Sequence, residues 1–347
     1  MSFLGPKLLL KIDSRLRQAF PHRQHEPFGG VSIILVGDLR QLPPVMDKPL
    51  YASHSTALAL WCSFQTVVTL DTSFRQQGAS YIQQQFRAIL QNIRNANALQ
   101  TNWEALMSRS SAKLAVEHNK EFDSSIHLFA TNALAKHHNT KRLKQLHLPI
   151  AQCLAQVPRQ TNIAYDNDDQ LPSEILLSVN EQVMLIANLW IQASFVNGSL
   201  GQIKSIVYDT DSKPPDLPKY VVVEFKNYTR PHWDYANSKF VPIPPITRGG
   251  HTQIPLAMAW ALTIHKSQGL TLNKATIDIG KTKKQGLTFT ALSRVKYVHD
   301  LRIDPPFTFE RYSKLQSNAY TTIRKKEENR LAALSSQIST SPPSQQL

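Results

Sequence analysis

Val36-Gly37-Asp38-Leu39-Arg40-Gln41-Leu42-Pro43-Pro44-Val45 continues without a break from Val31-Ser32-Ile33-Ile34-Leu35-Val36, a nearly unbroken apolar and β-branched run. Such a run predicts a buried parallel strand, because a strand covered on both faces has no polar side to present. In open α/β sheets ligands lie beyond the carboxyl ends of strands, so Gly37, Asp38 and Gln41 are expected to face one. Glycine lets backbone approach closely, and a glutamine amide offers both a donor and an acceptor to a phosphate and a water. Pro43 and Pro44 then stop any continuing helix and stiffen the exit. A strand ending in an ordinary Asx-type turn would account for Gly37 and Asp38 but says little about Gln41-Leu42-Pro43-Pro44.

Outward from this stretch the texture alternates. Leu8, Leu9, Ile12, Leu16 and Ala19 repeat at helical spacing over 8–20, with Lys11, Arg15 and Arg17 between them. Helical periodicity returns over 81–112, a strand is expected at 125–130 and a helix at 133–146, which together favour an α/β domain. Three β-rich runs at 181–187, 201–208 and 219–225, separated by turn-formers, predict a small β-barrel-like insertion. Asp211-Ser212-Lys213-Pro214-Pro215-Asp216 is its surface loop, kept out of any ladder by the prolines. A helix at 256–263 and a strand at 275–279 resume the α/β pattern, so the insertion interrupts one domain. The last stretch, charged and then rich in Ser, Gln and Pro, is expected to be disordered.

With 347 residues the chain has room for two or three cores. The 39 Lys and Arg against 25 Asp and Glu leave +14, which makes a polyanion the first partner to test. No apolar run approaches the roughly 18 residues of a membrane span. The beginning Met1-Ser2-Phe3-Leu4-Gly5-Pro6 has neither a secretory nor a transit pattern. Cys62 and Cys153 are too few for a disulfide framework or a four-cysteine site, which fits a reducing compartment. The twelve histidines, His137 and His138 included, have no zinc spacing, so no metal held by side chains is expected.

Three further segments carry chemistry. In Leu70-Asp71-Thr72-Ser73-Phe74-Arg75-Gln76 an arginine follows an aromatic at the end of a β-prone stretch. Held by packing, its guanidinium can approach a γ-phosphate, although most arginines are merely solvated. Thr263-Ile264-His265-Lys266-Ser267-Gln268-Gly269 gathers hydroxyl, imidazole, ammonium, amide and glycine within a few residues, and such groups suit phosphate oxygens. Its bland alternative is a polar helix terminus. Thr288-Phe289-Thr290-Ala291-Leu292-Ser293-Arg294-Val295 places one charge in a small, apolar stretch. A buried Arg294 there needs a partner, and a nucleotide phosphate would serve.

In this order, and with Val183 to Leu189 followed by Val196-Asn197-Gly198-Ser199-Leu200-Gly201, these segments resemble the Pif-type (petite integration frequency) DNA helicases. That family is a branch of helicase superfamily one related to RecD, and the resemblance covers roughly residues 1–310. It implies an α/β fold of RecA-like P-loop NTPase domains, the first partial, with a small β-barrel insertion in the second. The implied limits are 1–78 for the end of the first domain, 79–195 with 246–315 for the second, 196–245 for the insertion, and 316–347 for a disordered tail.

By the same resemblance Gln41 senses the γ-phosphate of ATP, Arg75 and Arg294 reach the nucleotide, and Gly37, Asp38 and Gly269 lie near it. Thr263, His265, Lys266, Ser267 and Gln268 contact the DNA backbone. Family members use Mg²⁺ with ATP, move 5′ to 3′ on single-stranded DNA and act at duplex junctions. The resemblance further implies repair, recombination or telomere maintenance, with nuclear residence and the mitochondrion as a second compartment. The family's Gly-rich phosphate loop and acidic metal-holding pair are expected to be missing, as though the chain began just past them, and the chain alone is expected to be inactive. A non-catalytic single-stranded-DNA-binding or regulatory module, and the helicase segment of a mobile-element protein, are the competing expectations.

Overall fold

The computed structural model describes residues 3–52, 56–70, 72–157, 171–225, 228, 239–280, 286–314 and 319–339. The chain divides into two units, Met1–Asp123 with Thr271–Leu347, and Ser124–Leu270. This division does not coincide with the expected boundary at 78.

In the first unit α1 (Pro6–Ala19) opens with proline in its first turn, where the missing N–H would have had no intrahelical partner. Its Asp13 is buried and accepts from the Phe28 N–H (2.6 Å) and from Arg17 Nε (2.8 Å). This fixes the chain return at Phe28, whose φ of 56° is unusual for a bulky residue. Leu9, Phe28, Leu50, Leu60 and Trp61, the last two on α2 (Thr56–Cys62), form a small core.

The run 31–36 is not the expected strand. Ile33 and Leu35 pack on that core, while Ile34 is 87% exposed and Val36 also faces outward. The alternation is that of a strand, but none of the described strands lies beside it to complete a ladder. Val68 and Leu70, equally β-prone, are exposed in the same way.

The periodicity of 81–112 resolves into α3 (Tyr81–Arg94), capped by Ser80, and α4 (Gln100–Met107). After α5 (Val116–Lys120) the chain enters the second unit. There β1 (Ile126–Phe129) is followed by α6 (Asn132–Gln145), as expected to within a residue or two.

The rest of this unit is largely antiparallel. Strands β2 (Ala151–Leu154) and β3 (Glu174–Leu177) form a hairpin. Strands β4 (Gln182–Leu185), β5 (Leu200–Val207), β6 (Tyr220–Phe225) and β7 (Phe240–Ile243) follow. Next come β8 (Ile246–Arg248) and β9 (His251–Gln253), a second hairpin, then β10 (Leu256–Met258) and β11 (Ala261–Thr263). The main sheet runs β10-β4-β5-β6-β7 over a core that includes Val183, Leu185, Ile203, Val221, Val223 and Phe225. Among the described residues it is an open sheet with edges at β10 and β7, rather than a closed barrel. The expected limits 196–245 cut through it, because β4 and β10 both belong to the ladder. Part of the expected insertion, 226–227 and 229–238, lies outside the described residues.

The helix expected at 256–263 is instead β10 and β11. Leu, Ala and Met favour helix, yet β10 pairs with β4 and β11 runs parallel to β1, and such pairing overrides a weak local preference. Buried Asn139 on α6 completes the arrangement. Its Nδ2 donates to the Ala261 carbonyl (2.9 Å), and the Ala261 N–H donates to its Oδ1 (2.7 Å), as a neighbouring strand would.

Back in the first unit, β12 (Ala275–Asp278) pairs in parallel with β13 (Leu301–Ile303), and α7 (Leu287–Leu292) lies between them in sequence. After the short α8 (Phe309–Lys314), residues expected to be a disordered tail form α9 (Ala319–Ser339). Glu328 on α9 takes both Arg40 Nε (2.7 Å) and Arg40 Nη2 (3.0 Å), and Glu327 accepts from Trp61 Nε1 (2.7 Å). The charges that suggested a solvated end thus hold partners in the fold. The remainder, 340–347, lies outside the described residues.

Buried Glu181, at the turn into β4, receives the Ser178 N–H on Oε2 (2.9 Å), while Oε1 has no partner among the described residues. Burial pushes its carboxyl up to about 8. The protonated form is therefore the one that folding favours. Its contribution is complete below the ordinary carboxylate range and fades as pH rises toward about 8. The urea midpoint of the chain should fall between about pH 5 and about pH 8, and Glu181→Gln should flatten that slope. An unchanged slope in Glu181→Gln would assign the pH dependence elsewhere.

Candidate nucleotide and nucleic-acid sites

In the first unit the segment carrying Arg75 is fastened to the chain that leaves α7. Arg75 Nη1 donates to the Ser293 carbonyl (3.1 Å) and its Nε to Thr271 Oγ1 (2.9 Å). Buried Gln76 reaches the same Ser293 carbonyl (3.2 Å) and that of Val295 (2.9 Å) through Nε2. Gln83 on α3 adds a bond to the Lys296 carbonyl (2.8 Å). Three side chains therefore satisfy the backbone just past α7, and the position of Arg75 follows from them.

Arg294 is only 2% exposed. Its Nε donates to the Thr290 carbonyl (2.7 Å) and its Nη2 to Ser293 Oγ (2.8 Å). Burial, and then the positive charge of Arg75, push its guanidinium down to about 10. Burial lowers Arg75 as well. Two cations held near each other and partly desolvated repel, and an anion bound against them would relieve both costs. This suits the terminal phosphate of a nucleotide.

Gln41 occupies a different place on α7. Gly286, with φ of 73°, precedes the helix, and a Cβ there would lie 2.6 Å from the Gln41 carbonyl oxygen. Gly286 must therefore be glycine for the Gln41 turn to sit against the start of α7. Gln41 and the arginine pair are thus brought to opposite ends of this six-residue helix, about 9 Å long. Asp38, expected to face a ligand, accepts from the Arg40 N–H (2.9 Å) and from Arg94 Nη2 (3.3 Å), while Gly37 is exposed.

One sequence expectation needs correction. Gly280-Lys281-Thr282 does supply the Gly-Lys-Thr ending of a phosphate loop, with Ala275 at the position of the first glycine. Yet 275–278 form β12, with Ala275, Thr276 and Ile277 paired to Leu301, Arg302 and Ile303, so most of the stretch that would curl around a phosphate is extended as a strand. Lys281 and Thr282 lie outside the described residues. No Asp-Glu pair occurs in the sequence, and among the described residues no cluster of three or more His, Cys, Asp or Glu is placed to hold a metal ion.

In the second unit the turn after β11 lies beside β1, with the Ile264 N–H bonded to the Phe129 carbonyl (2.9 Å). Buried Thr263 and Ser267 build it. The Ser267 N–H donates to the Thr263 carbonyl (3.1 Å), and Ser267 Oγ to that of Ile264 (2.8 Å). Lys266 is exposed, His265 and Gln268 are half-buried, and exposed Gly269 has φ of 88° with open space where a Cβ would stand. The hydroxyls thus shape the turn, while Lys266 and backbone face outward.

Parallel β1 and β11 end side by side, which brings Thr131 and Asn132 next to this turn. Thr131 caps α6 by accepting from the Leu134 N–H (3.4 Å). Sequence reasoning missed these two residues. The signal was a threonine immediately after a strand and before a helical repeat.

With this geometry in hand, a family model described as PIF1-like helicase matches residues 2–104. The ATP-dependent DNA helicase PIF1 of Danio rerio is 28% identical over 287 residues, covering 81% of this chain and 42% of that protein. The PIF1 helicase of Homo sapiens is 26% identical over 319 residues, covering 87% of this chain and 45% of its own length. ATP-dependent DNA helicase RRM3 of Saccharomyces cerevisiae is 24% identical, covering 87% and 50%. The chain therefore spans about two fifths to one half of these relatives.

Among solved structures, the crystal structure of Pif1 helicase from Candida albicans aligns with a TM-score of 0.68 and 26% identity over 94% of this chain and 75% of that one. Pif1 from Bacteroides, solved with ADP-AlF3 and single-stranded DNA, aligns with a TM-score of 0.63 and 24% identity over 96% and 74%, a likeness of fold. The α/β architecture is that of the RecA-like Pif1 helicases.

Gln76→Ala should remove the donor from the Val295 carbonyl and one donor from Ser293, at a cost of about 1–3 kcal/mol for the buried groups left unsatisfied. Chemical denaturation should register it as a lower midpoint. Gln76→Glu should be worse, because a carboxylate would face the same carbonyl oxygens. Equal stability of all three proteins would show that Gln76 does not hold this segment.

Proposed function

We propose that this chain, a relative of the Pif1-type DNA helicases, is the C-terminal portion of an ATP-dependent helicase that moves 5′ to 3′ on single-stranded DNA. The observation that carries the reading is the desolvated guanidinium pair, Arg294 buried beside Arg75, each held by backbone and hydroxyl oxygens and each lowered by burial. Such a pair suits charge that develops on a γ-phosphate during transfer, and an arginine in that role is worth about 10³ to 10⁵ in rate. Gln41 would sense the same phosphate from the turn against α7, with Gly37 and Asp38 beside it in the first unit. ATP is the nucleotide in this reading. Mg²⁺ would screen its phosphates, and among the described residues no cluster of three or more His, Cys, Asp or Glu is placed to hold it.

Thr263, His265, Lys266, Ser267 and Gln268 would meet the DNA backbone, with Lys266 as the exposed charge and the two hydroxyls shaping the turn. Single-stranded DNA and its junctions with duplex are the partners. Roles in repair, recombination or telomere maintenance, and nuclear residence with the mitochondrion second, belong to the same proposal.

The chain by itself is not a motor in this reading, because Gly280-Lys281-Thr282 lacks the first glycine of a phosphate loop and the sequence has no Asp-Glu pair. The outward-facing Ile34, Val36, Val68 and Leu70 support it, since apolar β-prone side chains on this scale are normally covered by further structure. The same facts favour a second reading, a single-stranded-DNA-binding or regulatory module that acts without hydrolysis.

Purified 347-residue protein should release no phosphate from ATP above background in a malachite-green assay, with or without DNA. DNA-stimulated release would refute the inactive reading. Labelled oligo-dT should bind in a salt-sensitive manner by fluorescence anisotropy. Lys266→Ala should lower the slope of log affinity against log salt by about 1. Failure to bind oligo-dT at low salt would remove the nucleic-acid assignment.

A further inference from the structure

The charge of the second unit is concentrated in one helix. Across Ser124–Leu270 there are 13 Lys and Arg against 10 Asp and Glu, but four of the 13 lie on α6, so the remainder stands at nine against ten. α6 itself, Asn132–Gln145, contains Lys136, Lys141, Arg142 and Lys144 and no acidic residue.

Packing decides which way these charges point. Ala135, Asn139 and Leu143 recur every four residues and are buried, so the helix is anchored along one stripe. The opposite side carries His137, Lys141 and Lys144 at i, i+4 and i+7, with Lys136 beside His137, and all four are exposed. Elsewhere in the unit lysines are neutralised by the fold, as in Lys204 with Glu224 (2.8 Å) and Lys219 with Asp209 (2.9 Å). Lys136, Lys141 and Lys144 have no ion-pair partner among the described residues.

We infer that the outer face of α6 is a contact surface for the phosphate backbone of duplex DNA, separate from the single-strand turn at 263–268. From Lys136 to Lys144 the ammonium groups are spread along about 12 Å of a rigid helix, at 1.5 Å per residue. A duplex presents its phosphates as an equally rigid row. Single strands are held instead by stacking of unpaired bases on aromatic rings, and α6 contains no Phe, Tyr or Trp. The ring contacts that His138 of α6 makes, with His127 (centroids 4.1 Å apart) and Phe129 (5.5 Å), are turned toward β1. A face of cations without aromatics reads backbone charge and no sequence. The N-terminal end of α6 starts beside the 263–268 turn, so a junction could place its single strand at the turn and its duplex along the helix.

The inference rests on the DNA-binding reading above, and the test separates the two. The full 347-residue chain and its Lys136→Ala, Lys141→Ala, Lys144→Ala triple variant are titrated against a labelled blunt duplex and against labelled oligo-dT over a range of salt. Alanine favours helix, so α6 should persist, which circular dichroism checks. The salt slope for duplex should drop by about 3, roughly 1 per lysine, while the oligo-dT curve stays in place. Arginine at all three positions should restore duplex binding. Lys266→Ala should do the reverse, weakening oligo-dT and sparing duplex. Unchanged duplex binding by the triple variant overturns the inference while leaving the single-strand reading intact. Equal losses on duplex and oligo-dT overturn it by assigning α6 to the single-strand path. Binding to phosphatidylserine vesicles that alone depends on the three lysines overturns it in favour of a membrane surface.

Discussion

The carbonyl oxygen of Ser293 accepts from both Arg75 Nη1 and Gln76 Nε2, and much of the candidate nucleotide site depends on that shared acceptor. A backbone carbonyl has two lone pairs, so one group can fix two side chains from a distant part of the sequence. Here it joins the 72–76 segment to the exit of α7, which is also where Arg294 begins. The two guanidinium groups are then close enough to raise each other's cost of being charged. Neither is discharged by this, because even about 10 for Arg294 lies well above neutral pH. The arrangement holds positive charge in a partly desolvated place, with backbone carbonyl and hydroxyl oxygens among its partners.

The other end of α7 is governed by shape. Gly286 leaves room for the Gln41 backbone, and any side chain there would push the two segments apart. The turn that carries Gln41 is braced from behind as well. Arg40 makes a two-pronged bond to Glu328 and also reaches Asn95, while Asp38 accepts from Arg94. Residues of α9 and of the C-terminal end of α3 therefore grip the turn just before Gln41. Its position is set by contacts over 288 residues of sequence, from Arg40 to Glu328, as much as by its own proline-rich exit.

These long-range ties mark what the sequence could and could not reveal. Helices with a clear repeat and cap, such as α3 behind Ser80 and α6 behind Thr131, were legible because local chemistry and burial agree there. The strand-pattern runs at 181–187, 201–208 and 219–225 were legible for the same reason. The run 31–36 has the right alternation, but a strand exists only where a partner offers its backbone, and none of the described strands does. The reverse error occurred at 256–263, where helix-favouring residues yield to β4, β1 and the amide of Asn139. α9 was missed because Glu327 and Glu328 look solvated until Trp61 and Arg40 come to meet them. Arg75 and Arg294 were named from the sequence. Gln76, which fastens them, was quoted only as part of a motif, since a buried amide with two carbonyl partners has no local signature.

The turn at 263–268 changes meaning for a related reason. Read as a string, its hydroxyl, imidazole, ammonium and amide groups all look like ligands for phosphate. In the fold, Thr263 and Ser267 are buried and bond to backbone within the turn, so their service to any strand of DNA is indirect. What faces outward is Lys266, the Gly269 backbone in its left-handed conformation, and the edge where Thr131 and Asn132 begin α6. A site built in this way reads charge and backbone shape rather than base identity, since none of these groups is suited to a base edge in a fixed register. Indifference to sequence is what a protein that must pass along any strand requires, and it follows here from which atoms the turn consumes for its own structure.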